Sequence, residues 1–390
     1  MRFADALAAP GFAAIAEFKR RSPSAGDIRP DADVVAYARA YEAAGARAMS
    51  VLVDERFGGS WDDLRATRAA TTLPLLAKGF FSTRSHLQTA REAGADAALL
   101  ILRDLDDGRV RTLLEAAADL GLDALVEAHD AEELDRAARL DAPVVGVNAR
   151  DLATFAIDRR AQLELLARAP RDRVVVAESA ISSRAQAAAA ELAGANAILV
   201  GTSLMRALDP AARLRDLVSR PLVKVCGLTR QEDVDAAVDA GADMVGFILA
   251  DESPRRARTL LDAPDTVLRV AVFVGERAAT DADLVQHYAR EDGHRSRDAR
   301  LLRGEDVVGT VVDLPWLADD SSHLERARST AGRVMLAGGL GPQNVRAAID
   351  AVRPWAVDSA RATERAPGIK DHEALRAWVA AARDRAGVDA

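Results

Sequence analysis

Cysteine and lysine are scarce in this sequence of 390 residues. Its single cysteine, Cys226, excludes a disulfide framework and any metal site built from several cysteines. Four lysines stand among 52 basic residues, so arginine serves almost everywhere that a surface cation is needed. An ammonium group can release and regain a proton, whereas a guanidinium stays protonated. Each remaining lysine is therefore either a chance survivor or a group retained for proton transfer.

Long apolar runs and a surplus of positive charge are also missing. No stretch approaches the ~20 apolar residues that cross a bilayer, and the N-terminal segment lacks a convincing cleavage site for a secretory signal. We therefore expect a cytoplasmic protein with no membrane partner. The net charge of −8 argues against a nucleic-acid partner, because phosphate contacts need a basic surface.

The sequence does contain enough apolar material for two cores. Hydrophobic residues make up 49% of the chain, whose 390 residues exceed the ~100–200 residues of a typical domain. A helix, a glycine turn and an apolar strand recur around Gly45, Gly94, Gly194 and Gly241. The spacings are close to multiples of about 24 residues, one strand plus one helix, and the chain would hold about sixteen such units. The pattern predicts an α/β fold of two tandem (β/α)8 TIM barrels.

Continuous apolar runs, typical of parallel strands covered by helices, place the strands. In residues 1–218, the first predicted domain, they are Ala14–Phe18, Met49–Val53, Pro74–Ala77, Ala97–Ile101, Ala124–Val126, Val144–Val147, Val174–Ala177 and Ala197–Val200. In residues 219–390, the second, they are Leu222–Val225, Met244–Leu249, Arg269–Val274, Val307–Val312, Val334–Ala337 and Trp355–Val357. Between them two interpretations stay open: short strands at Leu284–Tyr288 and Ala299–Leu302, or a hairpin over Ala299–Val312. Both interpretations allow a second barrel that is irregular in its middle.

Polar residues follow most of the predicted strands of the first domain. Active sites of such barrels lie at the carboxyl ends of the strands. Singly, each charged residue could be a solvated loop start, but charged groups placed directly at several apolar strand ends favour a shared site. The residues expected around this mouth are Glu17, Lys19, Ser22, Lys78, Glu127, Asn148, Arg150, Glu178 and Ser179.

The motifs at these strand ends resemble those of indole-3-glycerol-phosphate synthase, in IAEFKRRSPSAGDI, LLAKGF, LVEAHDAEEL, VVGVNARDLATF, VVVAESAI and ILVGTSLMRALDP. The resemblance implies closure of a ring in 1-(2-carboxyphenylamino)-1-deoxyribulose 5-phosphate, with loss of carbon dioxide and then of water. A ketone that becomes an alcohol needs a proton donor. By resemblance Lys78 is that acid, and Glu127 and Lys19 are the pair that dehydrates the product.

The remaining site residues of the first domain are assigned by the same resemblance. Glu17, Asn148 and Glu178 orient the reacting groups, and Arg150 supports them. The substrate phosphate needs backbone donors after the last two strands, and these places are occupied by Ser179, Ala180, Gly201 and Thr202, with Ser22 from the first loop. The sequence departs from the family at Gly79, where aspartate is common, and at Ala180, where glycine is common.

The second domain resembles phosphoribosylanthranilate isomerase over Leu222–Val274 and Arg333–Ala382, most clearly in KVCGLTRQEDV and MLAGGLGPQNV. The resemblance implies an Amadori rearrangement, which needs one general acid and one general base. Cys226 matches the base and Asp313 the acid, and Arg255 fits the anthranilate carboxylate. Gly338, Gly339 and Ser359 fit the phosphate. The glycine-rich loop expected after Asp313 is replaced by Leu314-Pro315-Trp316.

We therefore predict a monomeric bifunctional enzyme of tryptophan biosynthesis that takes phosphorylated anthranilate-sugar substrates. The histidines lack ligand spacing, and we expect neither a metal nor a cofactor. Lys224 and Lys370 are interpreted as structural or loop contacts. Two alternatives stay open: a chain in which only the synthase is active and the second barrel is a structural or phosphosugar-binding domain, and a phosphometabolite-binding protein without activity.

Overall fold

Eight parallel strands close the first barrel in the computed structural model, which describes residues 2–22, 26–151, 154, 156–313 and 322–384. Each predicted strand overlaps its observed counterpart, so the prediction of a (β/α)8 barrel in this half is confirmed. The strands are β1 (Ala13–Phe18), β2 (Ala48–Leu52), β3 (Leu75–Lys78), β4 (Ala97–Ile101), β5 (Asp123–Ala128), β6 (Val144–Asn148), β7 (Val174–Glu178) and β8 (Ala197–Val200).

Helices alternate with these strands and most begin at a capping side chain. Aspartate, serine or threonine accepts a backbone N–H in the first turn of α2 to α7, which satisfies a donor that has no helical partner. The helices are α1 (Phe3–Ala8), α2 (Val34–Ala43), α3 (Trp61–Ala70), α4 (Arg84–Glu92), α5 (Asp107–Asp119), α6 (Ala131–Arg139), α7 (Arg159–Arg168), α8 (Arg184–Ala193), α9 (Thr202–Arg206) and α10 (Pro210–Val218).

The interior of the first barrel is apolar at its amino-terminal end. Ile15, Leu76 and Leu125 belong to a buried cluster that also contains Phe3 and Leu7 of α1. Helix α1 therefore closes this end of the barrel with its apolar face. The polar interior positions are left at the carboxyl ends of the strands, where a site can form.

The second barrel is also closed by eight strands, but one of them runs against the others. The strands are β9 (Leu222–Cys226), β10 (Met244–Ile248), β11 (Leu268–Val274), β12 (Leu284–Glu291), β13 (His294–Arg303), β14 (Asp306–Asp313), β15 (Val334–Ala337) and β16 (Ala356–Ser359). Strand β13 pairs antiparallel with both β12 and β14, and the other pairs are parallel. The irregular middle is thus a three-stranded meander that contains both of the features left open by the sequence.

The prediction of a second barrel that is irregular in its middle is confirmed, and in its described residues not every strand is followed by a helix. Within its described residues the helices are α11 (Gln231–Asp239), α12 (His323–Ser329), α13 (Val345–Val352) and α14 (His372–Arg383). The connections around β13 are tight turns at Asp292-Gly293 and Gly304-Glu305. Antiparallel neighbours can be joined by two residues, whereas parallel neighbours need a crossover of a dozen or more. Reversing one strand therefore removes the helices on either side of it.

By contact density the chain divides into one unit of Met1–Ser182 with Ala187–Val218 and another of Ser183–Gln186 with Ser219–Ala390. Two short hairpins lie outside the barrels, Arg21–Ser22 with Gly26–Asp27 and Glu364–Ala366 with Ile369–Lys370. Among the described helices, none has the length and apolar character of a membrane span.

Candidate active sites

Four charged side chains form one layer at the mouth of the first barrel. Lys78 ends β3 and Glu178 ends β7, while Glu17 and Glu127 are each the last residue but one of β1 and β5. Inward-pointing residues of alternate strands share a layer in such a barrel, which is why these four meet. The three carboxylates are buried and the Lys78 side chain is 15% exposed.

Short ion pairs join this layer to Lys19, which follows β1. The ammonium nitrogen Nζ of Lys78 lies 2.7 Å from Oε2 of Glu178 and 3.3 Å from Oε2 of Glu17. The other oxygen of Glu17 accepts a hydrogen bond of 2.6 Å from Nζ of Lys19. Glu17 therefore holds two ammonium groups side by side at the centre of the mouth.

Burial and neighbouring charges shift the pKa values of these groups in different directions. Burial opposes the charge of Lys78, but Glu178, Glu17 and Glu127 outweigh it and raise the pKa of that ammonium. Burial also raises the pKa of Glu178, with the charge of Glu127 acting in the same direction. For Glu127, His129 and Lys78 overcome burial and lower the pKa. These shifts favour the charged forms of Lys78 and Glu127, whereas burial and the charge of Glu127 make Glu178 the harder of the two carboxyl groups to ionise.

Two glycines make room for these carboxylates. A Cβ atom on Gly201, between β8 and α9, would lie 2.2 Å from Oε1 of Glu17 and 3.1 Å from Nζ of Lys19. A Cβ atom on Gly146, within β6, would lie 2.1 Å from Oε1 of Glu178. Each position therefore needs glycine for close packing, a requirement that becomes visible only in the structure.

The segments predicted to hold phosphate surround the same mouth. Ser179 and Ala180 follow β7 with successive positive φ angles of 69° and 56°, a backbone form that can turn consecutive N–H groups toward one anion. Gly201 and Thr202 lie where β8 gives way to α9. Ser22 lies in the short hairpin of the first loop and is half-buried.

Asn148 and Arg150 lie at the next strand end. Asn148 pairs in register with Glu178 across β6 and β7. Its side-chain oxygen accepts the backbone N–H of Arg150 at 3.0 Å, which fixes the orientation of the amide. All predicted residues of the first site thus lie at the carboxyl ends of its strands or in the loops that follow them.

In the second barrel a chain of hydrogen bonds starts at the ion pair of Lys224 and Asp358. Nζ of Lys224, completely buried, contacts Oδ2 of Asp358 and Oε1 of Gln286, each at 2.8 Å. The Gln286 amide donates to the Tyr288 hydroxyl, and that hydroxyl donates to Oδ2 of Asp313, again at 2.8 Å in each case. The chain ends at Asp313, the predicted acid.

Burial raises the pKa of both the predicted base and the predicted acid of the second barrel. Cys226 ends β9, and burial raises the pKa of its thiol despite the nearby charge of Lys224. Burial likewise raises the pKa of Asp313, against the opposing charge of Arg295, whose Nη2 lies 3.0 Å from Oδ2. An acid needs its proton, so the state of Asp313 suits its predicted role. The thiol of Cys226 has to lose its proton before it can act as a base.

The other predicted residues of the second site surround this pair. Arg255 is engaged by Glu364, with Nε 2.9 Å from one carboxylate oxygen and 3.0 Å from the other. Gly338 and Gly339 have φ angles of 81° and 67° after β15. The hydroxyl of Ser359, at the end of β16, donates to the carbonyl of Leu340 at 2.9 Å. The segment Leu314-Pro315-Trp316 lies outside the described residues.

Comparison with known proteins decides the family. The model of indole-3-glycerol phosphate synthase matches residues 1–217. The chain belongs to the indole-3-glycerol phosphate synthase family. It is 46% identical over 215 residues to that synthase from Mycobacterium avium, covering 55% of this chain and 79% of the relative. It is also 46% identical over 217 residues to indole-3-glycerol phosphate synthase 2 of Streptomyces coelicolor, covering 55% of this chain and 84% of the relative.

A second family model, N-(5'phosphoribosyl)anthranilate (PRA) isomerase, matches residues 278–381. This range includes the meander, where the sequence motifs gave the least support. Phosphoribosyl anthranilate isomerase from Thermotoga maritima is similar in structure with 26% identity, covering 42% of this chain and 99% of that one at a TM-score of 0.34. The chain thus carries a carboxy-lyase family followed by an isomerase family of tryptophan biosynthesis, and no comparison favours a chain in which only the synthase is active.

The two departures from the synthase family have local structural consequences. A Cβ atom on Gly79 would lie 2.9 Å from Cε1 of Phe81 and 3.2 Å from Cγ2 of Val53, so the packed Phe81 ring occupies the space of a side chain. Ala180 keeps the left-handed backbone that glycine adopts more easily. At the mouth of the first barrel, Gly79 is thus smaller than the aspartate common in the family, and Ala180 is more strained than the common glycine.

Sequence reasoning missed three polar residues of the two sites, His129, Tyr288 and Arg295. His129 lies beside Glu127, and the spacing Glu127, His129, Glu133 at a strand end was a signal that could have found it. Arg295 reaches Asp313 from the reversed strand β13 and Tyr288 reaches it from β12, which motifs do not reveal. Lys224 and Lys370, interpreted as structural or loop contacts, are both buried in the second barrel. Nζ of Lys370 donates to the carbonyls of Cys226 and Ala360 at 2.6 and 2.9 Å.

Proposed function

We propose that residues 1–218 form indole-3-glycerol phosphate synthase and residues 219–390 the isomerase that supplies its substrate. The observation that carries the proposal is the cluster of Lys19, Lys78 and Glu127 around one mouth, linked through Glu17 and Glu178. A protein that only bound a phosphorylated metabolite would not need two ammonium groups and an ionised carboxylate that are linked by ion pairs in one mouth.

Ring closure requires an acid at the substrate ketone. In the proposed step the carboxylate-bearing ring carbon bonds to the ketone carbon, and the carbonyl oxygen takes a proton from Lys78. The alkoxide that develops is a far stronger base than an amine, so it can take a proton even from an ammonium held by carboxylates. Carbon dioxide then leaves, and its bonding electrons restore the ring system.

Dehydration requires a second acid and a base. Lys19 donates a proton to the departing hydroxyl, and Glu127, already ionised, accepts the proton of the ring carbon. Glu17 orients the two lysines, while Asn148, Glu178 and Arg150 position the substrate. The phosphate is assigned to the backbone and side chains of Ser179, Ala180, Gly201, Thr202 and Ser22.

In the isomerase half, Asp313 protonates the ring oxygen of the sugar as the carbon–oxygen bond opens. Cys226, once ionised, takes a proton from the neighbouring carbon, which gives an enol that becomes the ketone. The positive charge of Lys224 beside Cys226 favours the thiolate. Arg255 is assigned to the anthranilate carboxylate, and Gly338, Gly339 and Ser359 to the phosphate. We propose that the enzyme works as a cytoplasmic monomer.

The decisive experiment supplies the purified full chain with phosphoribosylanthranilate and follows the absorbance and fluorescence of the indole product. We expect product without any added enzyme. The matched reaction starts from the rearranged compound, 1-(2-carboxyphenylamino)-1-deoxyribulose 5-phosphate. Turnover of the second compound but not the first would overturn the isomerase assignment, and turnover of neither would overturn both.

A further inference from the structure

The imidazole of His129 lies between two carboxylates behind the synthase mouth. It follows β5 directly, and its side chain is 2% exposed. Nε2 lies 3.2 Å from Oε1 of Glu127, and Nδ1 lies 3.0 Å from Oε2 of Glu133. The backbone N–H of His129 donates to the same oxygen of Glu133 at 2.8 Å. Nδ1 therefore has a hydrogen-bond partner in Glu133, whereas Nε2 lies at ion-pair distance from Glu127 without a hydrogen bond to it.

Glu133 is itself fixed in the first turn of α6. Its backbone N–H donates to Oδ1 of the capping residue Asp130 at 2.9 Å. Its second carboxylate oxygen accepts from Nε of Arg103 at 3.2 Å, and Arg103 also pairs with Asp151 at 3.0 Å. Glu133 thus has little freedom to turn away from His129, and the charges alternate from Glu127 outward.

This geometry favours a charged ring. A neutral imidazole donates from one nitrogen and accepts at the other, so it would leave one carboxylate facing a lone pair. An imidazolium places a positive charge between the two carboxylates, donates from Nδ1 to Glu133 and presents an N–H in place of a lone pair to Glu127. In agreement, although burial opposes its charge, Glu127 and Glu133 raise the pKa of His129 to about 9.

We propose that His129 is a positioning residue of the synthase reaction, held as an imidazolium by Glu133 so that Glu127 stays an oriented carboxylate ready to accept a proton. The inference rests on the proposed role of Glu127 in dehydration. The other charged groups that act on Glu127 are Lys78 of β3 and Glu178 of β7. Lys78 favours the carboxylate form of Glu127. Glu127 and Glu178 repel each other when both are ionised, so a proton taken up by this pair can reside on Glu178 instead of Glu127.

The test is the pH dependence of kcat for the rearranged substrate in His129→Asn and His129→Gln. We expect kcat near neutral pH to fall by ~10- to 100-fold, with KM changed by less than about twofold. Loss of the neighbouring cation should raise the pKa of Glu127, so the acid limb of the profile should move to higher pH by about 1 to 2 units. Glu133→Gln should move it in the same direction by less.

His86→Asn is the matched control, because His86 lies on α4 and its Nδ1 accepts a backbone N–H from Ser82, a role that asparagine can fill. It should leave kcat and the profile unchanged. A fall in kcat for the His129 variants with an unmoved acid limb would overturn the proposal, since a merely structural role lowers the rate alike at every pH. If neither His129 variant folds, the profile of Glu133→Gln decides.

Failure of the proposed function would give other results than failure of the proposal for His129. It would appear as an inactive wild-type chain, or as a Glu127→Gln variant that keeps its full rate. An active wild type and an inactive Glu127→Gln variant, together with an unmoved limb in the His129 variants, would leave the function standing and remove His129 from it.

Discussion

The two barrels close with the same number of strands but form their mouths by different means. In the first, the layer of Glu17, Lys78, Glu127 and Glu178 comes from alternate parallel strands and is held by ion pairs. In the second, Asp313 is reached through the neutral side chains of Gln286 and Tyr288. Both mouths contain ion pairs, but in the second the predicted acid is also joined to a chain of neutral hydrogen-bonding side chains.

The direction of one strand also differs between the two barrels. A parallel strand delivers its carboxyl-terminal residues to the mouth, whereas an antiparallel strand delivers its amino-terminal ones. Arg295 lies at the start of β13 and still pairs with Asp313, which ends β14. One reversed strand thus brings to the site a residue that a motif search along strand ends does not include.

The largest expected effect is the loss of one of the two activities while the other is kept. Lys78→Met removes the acid for ring closure, and kcat of indole formation from the rearranged compound should fall by ~10²- to 10⁴-fold. The isomerase reaction of the same variant, followed by consumption of phosphoribosylanthranilate, should keep its rate. Cys226→Ala should give the reverse pattern. Loss of both activities in either variant would contradict independent sites.

The barrels should also differ in how their stability responds to pH. The pKa of His129 is raised to about 9, so the folded first barrel binds a proton that the unfolded chain releases above its ordinary pKa of ~6.5. The contribution of His129 to the free energy of unfolding is complete below pH 6.5 and is lost as pH rises through 9, by up to about 3 kcal/mol.

In the second barrel burial lowers the pKa of His323. Its contribution to the free energy of unfolding is therefore present above pH 6.5 and falls at lower pH.

Hydrogen exchange read by mass spectrometry at pH 6, 7.5 and 9, corrected for the intrinsic rate of each peptide, would follow the two barrels separately. Peptides of β5 and α6 should lose protection toward pH 9, and His129→Asn should remove that dependence. Equal loss at pH 9 in peptides of β15 and β16 would contradict the assignment to His129.

A smaller effect is expected from Tyr288→Phe. The hydroxyl links Gln286 to Asp313, so its loss leaves the buried amide without an acceptor and Asp313 without one donor. The isomerase rate should fall by about tenfold, the size of one lost hydrogen bond to a charged or buried group. The synthase rate of the same sample is the internal reference. An unchanged isomerase rate would show that the hydrogen-bond chain does not support the acid.

The first barrel was largely predictable because its strands are continuous apolar runs whose ends carry the reacting groups. Glu17, Lys78 and Glu127 could be assigned to one mouth because each directly follows or ends such a run. The contacts of His129 and Gly201 were not predictable, because they depend on atoms that meet from distant parts of the chain. In the second barrel, β13 begins with the polar and charged residues His294–Asp298, a composition that gives no signal for a strand.

The smallest expected effect concerns the strained turn after β7. Ala180 has a φ of 56°, which costs an L-residue of order 1 kcal/mol, whereas glycine adopts it freely. Ala180→Gly should therefore raise the free energy of unfolding of the first barrel by up to about 1 kcal/mol, after allowing for the greater flexibility of glycine in the unfolded chain. Ala207→Gly is the control, since Ala207 has a φ of −69° and should lose a few tenths of a kcal/mol. Urea unfolding measures both, and a destabilised Ala180→Gly would mean that the methyl group of Ala180 contributes packing that outweighs its backbone strain.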